Sequence, residues 1–163
     1  RKDASGVLWL GYPRPRGSLV LQFDVDLQFY PTWRYFRHDP ARLPVDGTDK
    51  PWLFRTGACG VKQCVIPVAT AKDGTARYTV RLAFAELEHD AAGERVFDIK
   101  LQGNVVAKDF DALQEAGGKD RPVIREFKGI EAGEKLTVEF LTKAADPSRE
   151  QLPILQGIEI VRE

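Results

Sequence analysis

Hydrophobic residues fall on every second position along most of this chain, the period of a strand with one buried face. The cleanest run is Leu19, Leu21, Phe23, Val25, Leu27 and Phe29, alternating with Ser18, Val20, Gln22, Asp24, Asp26 and Gln28. Tyr78, Val80, Leu82 and Phe84 repeat the pattern, as do Phe97, Ile99 and Leu101. The stretch from Arg77 to Gly103 therefore reads as two antiparallel strands joined by a polar connection that carries Gly93 for its turn. Further strands are expected at Trp52–Phe54, Val61–Val68, Val105–Lys108, Val123–Phe127, Leu136–Phe140 and Pro153–Val161. Asp111 is placed to cap a short helix, with Gln114 three residues on and Gly117-Gly118 to end it. Nine or ten strands, one small helix and no βαβ rhythm predict an all-β sandwich of two antiparallel sheets.

The alternation fails in a few places. Arg1 to Gly6 reads as a frayed end, and Gly11 to Gly17 as a loop punctuated by Pro13 and Pro15. From Pro31 to Pro51 there is no sustained period, and Pro31, Pro40, Pro44 and Pro51 interrupt it. That segment is expected to be a long loop with its own aromatics, Trp33, Tyr35 and Phe36, serving as a packed lid or a binding loop. Trp9 and Trp52 lie in apolar runs and are assigned to the core.

Composition acts mainly by exclusion. The 163 residues are 43% hydrophobic, which suits one domain with a substantial core. Lys+Arg and Asp+Glu both number 24, so the basic excess of a nucleic-acid binder is missing. No apolar run is long enough to span a bilayer. A start at Arg1 and a sequence without Met lead us to expect a domain drawn from a longer, multidomain protein. Cys59 and Cys64 lack the two further ligands of a tetrahedral zinc site and the C-x-x-C redox spacing. Gly60 between them allows the bend of a short-loop disulfide, and two buried thiols are the alternative.

One ordered series carries a resemblance. It begins with Phe84-Ala85-Glu86, then Arg95-Val96-Phe97-Asp98-Ile99, Leu101 and Gly103. It continues through Val106, Asp109-Phe110-Asp111, Gly117-Gly118, Arg125-Glu126-Phe127 and Leu136-Thr137-Val138-Glu139-Phe140, and closes with Pro153-Ile154-Leu155 and Gly157 to Ile160. Over about half the chain this resembles the malectin and malectin-like domains. The resemblance implies a jelly-roll, galactose-binding-like β-sandwich that binds oligosaccharide or polysaccharide without cutting it. It implies a module of a larger exported protein, extracellular or periplasmic, and in that setting a Cys59–Cys64 disulfide is favoured. Neither membrane insertion nor a cofactor is expected, although oxygen-rich loops leave room for a structural calcium ion without any EF-hand spacing.

Sugars are held by aromatic rings stacked on pyranose C–H faces and by planar polar groups paired with hydroxyls. Trp33 and Tyr35 fit the first device, beside Arg34, Arg37, His38 and Asp39, and Tyr12 is a further candidate ring. Each has packing against the sandwich as its alternative role. In malectin-type sugar binders an aromatic pair follows the Ala-Glu-apolar segment, whereas the matching positions here hold Glu88 and His89. The family's diglucose preference is therefore not carried over. Glu88, His89 and Asp90 can still bond hydroxyls or simply form a solvated loop, and Asp146 loosely matches the family's polar contact near the last strand. Glu86 is expected to pair with Arg95.

A hydrolase or lyase built on Glu86, Glu88, His89 and Asp90 would need two carboxylates facing each other across a cleft, which clustering in one loop does not supply. No Gly-x-Ser-x-Gly, H-E-x-x-H or phosphate-binding Gly-Lys-Ser/Thr motif occurs. The alternative to sugar binding is a structural or protein-interaction sandwich.

Overall fold

A computed structural model describes residues 1–11, 24–39 and 45–163. The expected strand residues 18–23 and the candidate ring of Tyr12 lie outside the described residues. Among the described residues, nine strands form two antiparallel sheets that pack face to face as a β-sandwich. They are β1 (Asp26–Arg37), β2 (Thr56–Pro67), β3 (Ala76–Ala85), β4 (Phe97–Leu101), β5 (Asn104–Phe110), β6 (Pro122–Ala132), β7 (Lys135–Thr142), β8 (Ile154–Leu155) and β9 (Gly157–Arg162). One sheet runs β1-β2-β7-β4-β5 with β8 on β2, and the other runs β6-β3-β9.

The alternation drives this arrangement. Tyr78, Val80, Leu82 and Phe84 point from β3 into the space between the sheets, where they meet Phe97, Ile99, Leu101, Leu136, Val138 and Phe140. Phe84 sits centrally, with its ring centroid 4.7 Å from Phe110, 6.1 Å from Phe97 and 6.3 Å from Phe140. The helix expected after Asp111 is α2 (Ala112–Ala116). Asp111 accepts hydrogen bonds from the backbone N–H groups of Leu113 and Gln114, and Gly117 ends the helix at φ +68°.

Several expectations need correction. β3 and β4 do not pair with each other: β3 lies between β6 and β9, while β4 lies between β7 and β5. The polar connection 86–96 therefore crosses from one sheet to the other. Pro31–Arg37 is strand rather than loop, because β1 is an edge strand and an edge tolerates proline. The excess residues are absorbed by a bulge, since Phe29 pairs with Val61 and Arg34 with Cys59. Trp52–Phe54 is the helical turn α1 (Pro51–Phe54), not a strand, with proline in the first turn where its missing N–H costs nothing.

The Cys59–Cys64 disulfide is also corrected, because both cysteines are free and buried. They lie five positions apart on one continuous strand, a span of roughly 16 Å, far beyond the ~7 Å that a disulfide tolerates between Cα atoms. Burial pushes the Cys64 thiol up to about 12. Neither thiol is expected to react with a thiol-specific disulfide reagent in the native protein, and both should react in denaturant. Fast labelling of the folded protein would contradict this.

A second, smaller core covers the outer face of β3 at one end. Ala83 and Ala85 meet Val45, Leu53, Phe54 and Leu87, with Trp9 and Trp52 packed against them. The two indoles, assigned to the core from sequence, are half-buried and meet edge to face at 6.3 Å. Asp3 anchors this layer, with its side chain only 1% exposed. One carboxylate oxygen accepts from Ser5 and from the Val7 N–H, and the other from the Trp9 indole at 2.9 Å, with Lys50 Nζ at 3.0 Å. Hydrogen bonds from Ser5 and then Trp9 hold the Asp3 carboxyl well below the usual carboxylate range. A depressed folded value means the anchor is fully formed above the ordinary value of about 3.9 and is lost only as pH falls through the lower folded value. The Trp9 indole N–H resonance is accordingly expected to keep its neutral-pH position down to about pH 4. Movement with an ordinary carboxylate midpoint would contradict the arrangement.

Candidate functional site

The bulge in β1 presents three rings. Phe29 and Trp33 stack with centroids 4.2 Å apart and planes 22° apart. Tyr35 meets Trp33 edge to face at 5.0 Å. Trp33 is 41% and Tyr35 46% exposed, whereas Phe29 is half-buried against the main core. Gly60 on β2 makes this possible. A Cβ there would lie 2.9 Å from Trp33 Cα, and the residue adopts φ +93°, so only glycine lets the bulge settle onto β2 without strain.

Strand alternation sends Arg34 to the opposite face from Trp33 and Tyr35, toward the interior. There its Nη2 donates to both carboxylate oxygens of Glu88, one at 2.6 Å. Arg95 Nη2 donates to Glu88 at 2.8 Å, and Arg95 Nε donates to Glu86 at 2.8 Å. Arg95 Nη1 reaches the Leu152 carbonyl at 2.6 Å. Arg95 and Glu86 are almost wholly enclosed, with side chains 2% and 3% exposed. The expected Glu86–Arg95 pair is thus present, extended outward by Glu88 and Arg34 into a charge-balanced ladder that straps the 86–96 connection to β1.

The remaining candidates join this strap rather than the rings. His89 Nδ1 lies 3.2 Å from a Glu94 carboxylate oxygen, and its Nε2 lies 2.9 Å from the Glu150 carbonyl. Both ring nitrogens are therefore engaged, fastening the connection to the 3-10 turn Arg149–Gln151. Asp90 pairs with Lys119 at 2.9 Å. Asp146 is exposed in the 143–148 loop and takes no part in the ladder. Burial raises the Glu88 carboxyl, but the Arg34 and Arg95 guanidiniums outweigh it and hold the group below its usual range. An acid catalyst needs the opposite shift. The void bordered by Phe36, His38, Glu86 and Glu88 is about 10 Å³, room for about one water molecule and far too small for a sugar ring. Among the described residues no cluster of His, Cys, Asp and Glu could hold a metal ion, and no helix is long and apolar enough to cross a membrane.

Sequence reasoning missed Phe29 as a partner of Trp33 and missed Arg34 as a partner of Glu88. Both follow from the bulge: an unbroken period of two would put Trp33 and Tyr35 on the same side as Leu27 and Phe29, whereas the bulge turns them outward and Arg34 inward, which no local pattern signals.

A family model described as "Malectin domain" matches residues 22–149, which takes in the ring-bearing strand, the strap and most of both sheets. The chain belongs to the malectin family. The probable LRR receptor-like serine/threonine-protein kinase RFK1 of Arabidopsis thaliana is 32% identical to this malectin domain over 95 residues. That match covers 52% of this chain and 9% of the kinase. This chain spans less than a tenth of the length of the curated relatives it matches. The ANXUR1 extracellular domain of Arabidopsis thaliana aligns with a TM-score of 0.65 at 16% identity, covering 83% of this chain and 40% of that one. Bacteroides uniformis β-glucuronidase aligns with a TM-score of 0.65 at 14% identity, covering 84% of this chain and 14% of that one. At these identities the two structures share the malectin domain's fold.

Proposed function

We propose that this malectin domain is a non-catalytic carbohydrate-binding module that holds neighbouring domains of an exported protein on glycan. The observation that carries the reading is the exposed pair Trp33 and Tyr35 on β1, backed by Phe29 and seated on Gly60. Two large rings exposed on a rigid strand are unusual without a partner, and a stacked base keeps Trp33 pre-oriented for a pyranose face. Glu88 and His89 then serve as braces: Glu88 positions Arg34 between the two ring-bearing residues, and His89 fixes the connection. Their engagement accounts for the absence of the family's stacking pair at those positions without loss of a ring surface.

Family membership supports the ligand class. The extracellular placement named for the ANXUR1 relative supports export. The lowered Glu88 carboxyl and the buried Glu86–Arg95 pair support a role without catalysis.

Tryptophan fluorescence against soluble oligosaccharides tests the proposal. A saturable shift is expected, and Trp33→Ala should weaken affinity at least ~tenfold, about 1.4 kcal/mol, while still melting cooperatively. No response to any glycan by fluorescence or calorimetry would overturn it in favour of a protein-interaction surface.

A further inference from the structure

A groove of about 450 Å³ lies on the outer face of the three-stranded sheet, on the other side of the sandwich from the sheet that carries Trp33. That volume is within the range of sites that enclose small ligands. Its floor is the outward row of β3, and two features make it concave rather than flat. Ala83 is small, as is Gly157 beside it on β9, so the sheet is low on that side of Arg81. The N-terminal turn held by Asp3 then raises a wall along one side, with Val7 and Trp9 facing the groove. A Cβ on Gly157 would crowd the wall, lying 3.0 Å from Leu53 Cδ1 and 3.3 Å from the Trp9 ring.

Across the floor runs a fixed polar row. Arg81 lies opposite Glu126 on β6 and Glu159 on β9, donating from Nε at 2.6 Å and from Nη1 at 2.7 Å. Those bonds use two of its five N–H groups and hold the guanidinium in one orientation. Lys50, at the rim, is likewise paired with Asp3. Lys128 Nζ, 3.2 Å from Glu126, supplies the second cation of the row, so its charges are matched; an ionic ligand then gains little, whereas paired donors and acceptors in fixed positions suit vicinal hydroxyls. Exposed Ile124 and Val161 lie beside this row and offer apolar surface for C–H faces.

We infer that this groove is a second binding site, for a neutral oligosaccharide lying across the Glu126–Arg81–Glu159 row. The inference rests on the carbohydrate reading above for its ligand class but not for its location. An open groove takes internal segments of a chain, so longer oligosaccharides should bind better than disaccharides.

The test is methyl and amide NMR of the whole chain with cellohexaose, xylohexaose, maltohexaose and laminarihexaose, each beside its disaccharide. Shifts at Ile124, Val161 and Ala83 are expected with at least one hexasaccharide. They should persist in Trp33→Ala, weaken at least ~tenfold in Arg81→Met and in Ile124→Glu, and be largely kept in Arg81→Lys. Unaltered spectra outside the groove would certify that the variants fold. Shifts confined to β1 would overturn the second site and leave the first standing. Groove shifts without β1 shifts would keep the second site and remove the first. Silence from all four sugars, or groove shifts produced only by apolar peptides, would overturn the inference.

Discussion

Replacing Arg95 with methionine is expected to destabilise the domain by about 3–5 kcal/mol, because it strands the Glu86 carboxylate in the interior. Arg95 is the interior rung of the ladder. It meets Glu86, Glu88, the Leu152 carbonyl and the Cys59 sulfur, so its loss leaves several buried acceptors without a donor. Urea unfolding of the variant measures the effect. Changing Glu86 to leucine in the same chain should return a large part of the loss, since the pair is then replaced by apolar groups rather than broken. A cost for Arg95→Met below about 1 kcal/mol would mean that water reaches Glu86, and the ladder would not be the internal strap described above. By contrast, Arg34→Met removes only the partly exposed outer rung, and should cost about 1 kcal/mol or less.

Phe84→Ala should be about as damaging, at about 3–5 kcal/mol. The ring is fully buried and touches Phe97, Phe110 and Phe140, which all belong to the opposite sheet. Its removal opens a cavity where the two sheets interlock, and rings anchored on three separate strands have little freedom to collapse into it. Loss of near-ultraviolet dichroism before loss of the β signal would show the sheets loosening as units. A cost near 1 kcal/mol would show that the neighbouring rings repack.

Sequence periodicity revealed faces but not neighbours. Alternation at 78–84 and at 97–101 correctly showed which side chains enter the core, and these strands are near in sequence, yet they belong to opposite sheets. A period of two is the same whichever strand lies alongside, so pairing was beyond its reach. The Asp111 cap was legible because it depends on a short, local spacing. The Glu86–Arg95 pair was expected as a cross-strand pair; it forms although β3 and β4 lie in opposite sheets, because both residues sit at the two ends of the connection between them. Pro31 hid the second half of β1, since proline rules out a central strand but not an edge. Pro51 suggested a strand start where it opens a helical turn. Cys59 and Cys64 were close in sequence, and only the extended backbone shows how far apart that leaves them. The ring group was half legible: Trp33 and Tyr35 stood out, while Phe29 and Gly60, which seat them, depend on a bulge set by pairing.

The order in which strands meet also bears on how the molecule is made. Tyr78 on β3 is paired with Ile130 on one side and with Arg162 on the other. Cys64 on β2 likewise waits for Val138. A ribosome releasing this chain completes β3 well before either of its partner strands exists, and β2 with only β1 beside it. Sheet closure must then bridge long intervening loops, the topology associated with folding in milliseconds to seconds rather than microseconds. The nascent first half is accordingly the species most in need of a chaperone, and truncation before β9 should yield an aggregation-prone fragment rather than a smaller domain.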